Sequence, residues 1–384
     1  MRRRLVILSE IIAPYRIPVF NSLAQHEDID LHVIFLAEND PALRDWLVYK
    51  DEIHFSYQVL PSWRQRFGEH NLLMNRGLKA ALQQAAPDII LCGGYNYLAS
   101  WQSVRWAGRN RVPFILWVES TGRDFRSRNR AVEFLKGKFL RRCSAFVVPG
   151  KSSFQYVKSY GACAEKIFVA PNAVDSELFA RKAAAVRQEA AMQRHALHLP
   201  PRFFLFVGRL VPKKGVFDLL EAYGKLAPEL RAAIGLVLVG EGSAHAELVR
   251  RATRIEPGQV QCTGFVHREQ LASYYALAEV FVFPSHTDPW GLVMNEAMAC
   301  GLPVISSDAA GCTQDLVEDN RNGRVVRRGD VAQLASAMEE LGRDPALRER
   351  MGNHSRGHIL RYSPEACADG IAEAALCLGK QGHE

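Results

Sequence analysis

Long hydrophobic runs are missing from this chain: no segment reaches the run of about 20 apolar residues that crosses a bilayer. Arg2-Arg3-Arg4 ahead of Leu5–Leu8 has the opening of an export signal, but Glu10 interrupts the apolar stretch and Arg16 follows. The expectation is a buried first strand in a cytoplasmic protein. Paired cysteines are also absent. The eight cysteines, at 92, 143, 163, 262, 300, 312, 367 and 377, form no C-x-x-C, and several sit in apolar runs. They read as core residues of a reducing compartment, not as a disulfide framework. No zinc-finger spacing, RNP motif or helix-turn-helix stands out, so no nucleic-acid partner is expected. His354 and His358 are four apart but have no H-E-x-x-H context or third ligand, and read as surface histidines; no metal is expected. The turn after the first strand reads Ile11-Ile12-Ala13-Pro14-Tyr15-Arg16, not G-x-G-x-x-G, which argues against a dinucleotide oxidoreductase.

What is present is α/β patterning. A chain of 384 residues exceeds one core, and 48% hydrophobic with 23% charged residues is ordinary for a globular protein. The net charge of +7 is uneven. Residues 1–185 carry 26 Lys+Arg against 17 Asp+Glu, and the remainder carries 22 against 24. The basic excess of the first half suits an anionic membrane surface or an anionic acceptor.

The densest information lies in 280–311. Val280–Phe283 is a short apolar run of β-formers, as in a parallel strand buried on both faces. Pro284 ends it, Ser285–Trp290 is a polar loop, and helical spacing resumes from Gly291 through Leu292, Val293, Ala297 and Met298. Gly301-Leu302-Pro303 stops that helix before a strand at Val304–Ser306. In strand–loop–helix units ligands sit beyond the carboxyl ends of the strands. Asp288 and Glu296 frame the helix start, and the amides around Gly291–Val293 offer an anion site there. Two carboxylates around an amide nest suit a phosphate flanked by polyols, as in a nucleotide-sugar. Upstream, Phe203–Val207 reads as a buried strand followed by Gly208 and Arg209, with Lys213-Lys214-Gly215 leading into a helix. Arg209 and Lys214 can reach one diphosphate and stabilise its departure.

These residues resemble the E-x7-E signature of retaining nucleotide-sugar glycosyltransferases of family 4 (group 1). Val207–Gly215, Pro171–Asp175 and Asn322-Gly323 fall in the same order as in that family. The first acid is Asp288 where the family usually has Glu, one methylene shorter. The resemblance implies the GT-B architecture, two Rossmann-like domains facing each other across a cleft. Residues 1–180 would form the acceptor domain, 181–201 a linker and 202–362 the donor domain, with a C-terminal helix at 363–379 crossing back to the first. It implies roles too. Arg209 and Lys214 hold the diphosphate, Asp288 orients the sugar, and Glu296 accepts bonds from the ribose. Gly208, Trp290, Gly291 and Leu292 contact the donor, and the main chain at Val266 meets the base. The family's usual mechanism is front-face departure with phosphate as base and no cofactor.

Acceptor candidates lie in the first half. Arg16 faces an acceptor or a phosphate, or is a solvated helix-start arginine. Asn96, in Gly93-Gly94-Tyr95-Asn96-Tyr97, follows a strand at Asp88–Cys92, and Glu119 follows one at Pro113–Val118, where it orients a hydroxyl or caps amides. Arg123–Arg142 holds eight Lys/Arg and two acids. Its stripe of Val132, Leu135 and Phe139 is expected to face the core while the bases face solvent or anionic lipid. Asp28-Ile29-Asp30 reads as a turn ahead of its strand, Trp63–Phe67 as an ordinary loop or one that touches a membrane or acceptor, and Asp315 as a cap.

The function expected is sugar transfer from a nucleotide-sugar, UDP being the commonest donor, to a saccharide or lipid-linked saccharide. Retention of configuration, a role in envelope polysaccharide synthesis and a peripheral place on the inner face of the membrane complete the expectation. The alternatives are a nucleotide-sugar epimerase of the same fold and an inactive sugar- or nucleotide-binding protein.

Overall fold

A computed structural model describes residues 2–40, 48–67, 70–122 and 130–380. The chain divides into two compact units, Met1–Ala173 with Pro364–Glu384, and Val174–Ser363. Residues 176–201, read from the sequence as a helix and linker, instead carry helices Ser176–Gln188 and Ala190–Ala196, both within the second unit. Phe179 and Ala183 bury in that unit's core, which is why the segment belongs to it.

The first unit is built on β1 (Arg3–Ser9), β2 (Ile29–Phe35) and β3 (Ser56–Val59), followed by β4 (Ser62–Phe67) and β5 (His70–Asn75). Further along come β6 (Ile89–Cys92), β7 (Phe114–Trp117), β8 (Ala145–Val148) and β9 (Ile167–Val169). Seven of these make one sheet in the order β3-β2-β1-β6-β7-β8-β9, every pair parallel. Strand side chains alternate between faces. Leu5 and Ile7 therefore enter one core, and Val6 and Leu8 the other. The first core is closed by helix Ile17–Gln25 and by the C-terminal helix Pro364–Lys380, which buries Cys367, Ile371 and Ala375. That helix thus returns to the first unit, as expected.

β4 and β5 stand apart as a two-stranded antiparallel ribbon, where a loop was expected at Trp63–Phe67. The D-x-D also changes character. Asp30 is inside β2, and its carboxylate pairs with Arg4 at 2.5 Å, so it is a strand residue rather than part of a turn.

The second unit holds β10 (Phe203–Val207), β11 (Gly235–Val239), β12 (Val260–Gly264), β13 (Val280–Phe283), β14 (Val304–Ser307) and β15 (Gly323–Val326). They pair in parallel in the order β12-β11-β10-β13-β14-β15. The order reverses between β10 and β13, and such a reversal opens a crevice at the strands' carboxyl ends. Both loops singled out in the sequence leave the sheet there.

All eight cysteines are free, with 92, 300, 312 and 367 buried. His358 departs from the surface role expected of it. Its Nε2 lies 2.9 Å from the Asp315 carbonyl and its ring stacks on Tyr362, because helix Pro345–Ile359 turns that face inward. His354 is exposed.

Candidate donor site and acceptor-side residues

The loops after β10 and β13 are tied together by main chain first. Lys214 ends a one-turn helix, Pro212–Lys214, and Gly215 follows at φ +70° to start helix Val216–Gly224. A Cβ on Gly215 would stand 2.0 Å from the Pro284 carbonyl oxygen, so only glycine lets the loops touch. The His286 amide donates to the Lys213 carbonyl at 2.9 Å, and His286 Nε2 lies 2.6 Å from Asp218 Oδ2. Across this seam the Lys214 ammonium pairs with the Asp288 carboxylate.

Asp288 is held from several sides. Its Oδ1 accepts from the Trp290 amide at 3.3 Å, and its carbonyl accepts from the Gly311 amide at 2.8 Å. Gly291 takes φ +98°, and a Cβ there would strike the Phe283 ring at 2.7 Å. This close approach sets the start of helix Leu292–Ala299, whose Leu292 and Val293 amides have no acceptor within the helix. Lys214 also stands over the Phe283 ring, 5.6 Å from its centroid.

Glu296 lies on the second turn of that helix. The fully buried Tyr275 donates its hydroxyl to Glu296 Oε2 at 2.7 Å. Burial first, and then the neighbouring carboxylate, raise the Tyr275 phenol well above its usual value, so it stays a neutral donor. Burial lifts the Glu296 carboxyl to about 7, against the lowering influence of Tyr275 and Arg268. An acid with a folded pKa above its unfolded one binds the extra proton in the folded state. Its contribution to stability therefore falls as pH rises from about 4.5 towards 7. Glu296→Gln is expected to flatten the stability–pH curve across that window in urea melts. An unchanged slope would show that the carboxyl titrates normally.

Arg209 follows Gly208 at the end of β10. Its side chain is exposed and engages no partner among the described residues. The Gly208 amide donates to the Val239 carbonyl, Leu210 to Glu241 and Gly240 to Gly264, so the loops after β10, β11 and β12 form one laced rim. The half-buried Val266 sits just beyond that rim. Trp290 is placed differently from expectation. It is 4% exposed, its indole donates to Asn295 Oδ1 at 2.9 Å, and it packs in the core. The indole is an internal brace, and only the backbone of Trp290 reaches the loop's polar side.

In the first unit, two acceptor candidates meet. The Arg16 guanidinium pairs with Glu119 and lies over the Trp117 ring, 3.7 Å from its centroid. Burial works against the charge on Arg16, but Glu119 and Tyr15 outweigh it and raise its pKa. Both residues sit at carboxyl ends of strands, after β1 and β7. Asn96 is exposed in the loop after β6. Within 123–142, residues 123–129 lie outside the described residues; helix Arg130–Leu140 covers most of the rest. Phe139 is buried against Trp101 at 4.9 Å, whereas Val132 and Leu135 are exposed. The stripe expected to face the core does so only in its last turn, because the core aromatics reach no farther along the helix.

Three contributors escaped the sequence reading: Tyr275, Asp218 and His286. The signal for His286 was its place in the loop Ser285–Trp290, whereas Tyr275 and Asp218 come from helices with no mark of their role. Among the described residues no cluster of His, Cys, Asp and Glu could hold a metal ion.

Two parallel α/β sheets, one in each unit, are the layout found in GT-B proteins, among other two-domain α/β folds. Family models for glycosyl transferases group 1 and glycosyltransferase family 4 match residues 187–358 and 21–178. The chain belongs to this glycosyltransferase family. A D-inositol 3-phosphate glycosyltransferase of Kribbella flavida is 33% identical over 233 residues, covering 57% of this chain and 52% of that protein. The chain thus spans about half the length of the curated relatives it matches. Anabaena HepE, solved with UDP and glucose, superposes with a TM-score of 0.74 at 20% identity, covering 98% of this chain and all of HepE. Sucrose-phosphate synthase from Thermosynechococcus elongatus gives 0.74 at 21% identity, over 99% of this chain and 100% of that one. These structural likenesses show the shared fold.

Proposed function

We propose that this chain transfers a sugar from a UDP-linked donor to a saccharide or lipid-linked saccharide, with retention of the donor's configuration, in envelope polysaccharide synthesis. The observation that carries the reading is the Lys214–Asp288 pair beside the helix start at Gly291, at the β10/β13 reversal. Lys214 and Arg209 neutralise the diphosphate, and the amides of Gly291 and Leu292 add hydrogen bonds to its oxygens. Asp288 turns to the sugar hydroxyls once the diphosphate takes over Lys214. Glu296, held by Tyr275, accepts from the ribose, and main chain near Gly208 and Val266 borders the base. As the glycosidic bond breaks, the two cations stabilise the charge growing on the phosphate, which takes the acceptor's proton on the same face. Two cations make a metal unnecessary. HepE, solved with UDP and glucose, supports the choice of donor.

Arg16 and Glu119 are proposed to orient the acceptor hydroxyl, with Asn96 nearby in sequence order along the same strand ends. No described helix is long and apolar enough to cross a membrane. A peripheral place on the inner face, through the basic segment 123–142, is proposed instead.

The test is a thermal-shift screen against UDP, GDP, ADP and NAD, with and without chelator. A chelator-insensitive rise with UDP that disappears in Glu296→Ala is expected. A shift with NAD alone, or with none, would refute the donor site, and product formed from donor alone would mark an epimerase.

A further inference from the structure

The β4–β5 ribbon has one anchored face and one that is exposed among the described residues. Cross-strand partners share a face, so the register Arg64↔Leu73 puts both on the inner side. Leu73 is buried there, and Arg64 pairs with Asp40 and lies 3.7 Å from Glu10. The register Trp63↔Met74 and Gln65↔Leu72 puts the other set outside. Trp63 is 55% exposed, Met74 45% and Leu72 42%. Apolar side chains of this size, side by side on one outward face, mark an interaction surface.

The charge around the ribbon selects its occupant. Arg64 is paired with Asp40 on the inner side, but just past β5 Arg76 and Lys79 are exposed. Helix Arg130–Leu140 repeats the combination, with Phe134 and Leu135 exposed beside Lys138 and Arg141. Both elements pack on helix Leu98–Asn110. A second copy of the chain would bring like charges together. A bilayer containing anionic lipid accepts the bases at its headgroups and the apolar side chains just beneath, the level where an indole is most favourable.

We propose that the outer face of the ribbon inserts into the interfacial layer of an anionic membrane. The proposal rests on the reading of a lipid-linked acceptor for its purpose, and on the ribbon alone for its geometry.

The experiment is cosedimentation of the full chain with phosphatidylcholine vesicles, with and without 30% phosphatidylglycerol. Binding to the anionic vesicles, weakened by high salt, is expected. The triple variant Trp63→Ser, Leu72→Ser and Met74→Ser should lower the partition coefficient by about tenfold or more. Its UDP-induced thermal shift should match the parent's, which shows that the fold and donor site survive. Parent-like binding by the variant, or no binding by the parent, overturns the proposal. So does a parent that is dimeric where the variant is monomeric, since a second copy then covers the face. Docking that persists while only a water-soluble acceptor is used would refute the lipid-linked acceptor and leave the ribbon's role standing.

Discussion

Arg209→Ala is expected to lower turnover by about 10²–10³-fold while leaving the melting temperature of the ligand-free protein almost unchanged. The two halves of that expectation have separate physical sources. Arg209 is exposed at the end of β10 and engages no partner among the described residues, so the folded state does not depend on it. Exposed substitutions of this kind change stability by less than about 0.5 kcal/mol. The same position, one residue past Gly208 at the strand-order reversal, is where a leaving diphosphate would collect charge. The loss should fall mainly on kcat, because the charge grows in the transition state. Arg209→Lys should recover part of it, since an ammonium keeps the charge but not the two-pronged hydrogen bonding. Steady-state kinetics with a UDP-sugar, alongside a melt without ligand, separates the effects. Activity retained in Arg209→Ala would remove this residue from the site and with it the diphosphate reading.

Strands buried on both faces were the most legible part of the fold. Phe203–Val207 and Val280–Phe283 read as unbroken apolar runs because helices cover both sides of the sheet, and the observed bounds are those same residues. β15 was visible only through Asn322-Gly323, since Gly-Arg-Val-Val at 323–326 is too short and mixed to stand out. The ribbon was misread for a different reason. Its apolar residues face outward, so the hydrophobic pattern had no core to point to. In the site, loops and helix starts could be located from glycines and prolines, but pairings could not. Lys214 and Asp288 are 74 residues apart, and Tyr275 and Glu296 are 21 apart on different helices. Only the parallel sheet brings each pair together. Trp290 shows the reverse error, where an aromatic in a ligand loop suggested a contact that packing claims instead.

Breaking the Lys214–Asp288 pair should separate stability from activity. The side chains retain 14% and 11% exposure, so either one left alone is a poorly solvated charge. Lys214→Met is expected to cost about 2–4 kcal/mol in a urea melt, short of a fully buried pair because some water contact remains. Asp288→Asn removes the opposite charge at constant shape and keeps an acceptor for the Trp290 amide, so its cost should be of the same sign and smaller. Combined, the two neutral side chains leave no orphaned charge, and the double variant should be more stable than the sum of the single losses predicts. Turnover should not follow. Lys214 is assigned to the diphosphate and Asp288 to the sugar, so the double variant lacks both and stays at least as slow as Lys214→Met. Strictly additive stability losses would mean that the pair is not coupled in solution. Recovery of activity together with stability would mean that these residues only hold the two loops in place, and that the chemistry belongs elsewhere along the β10 and β13 loops.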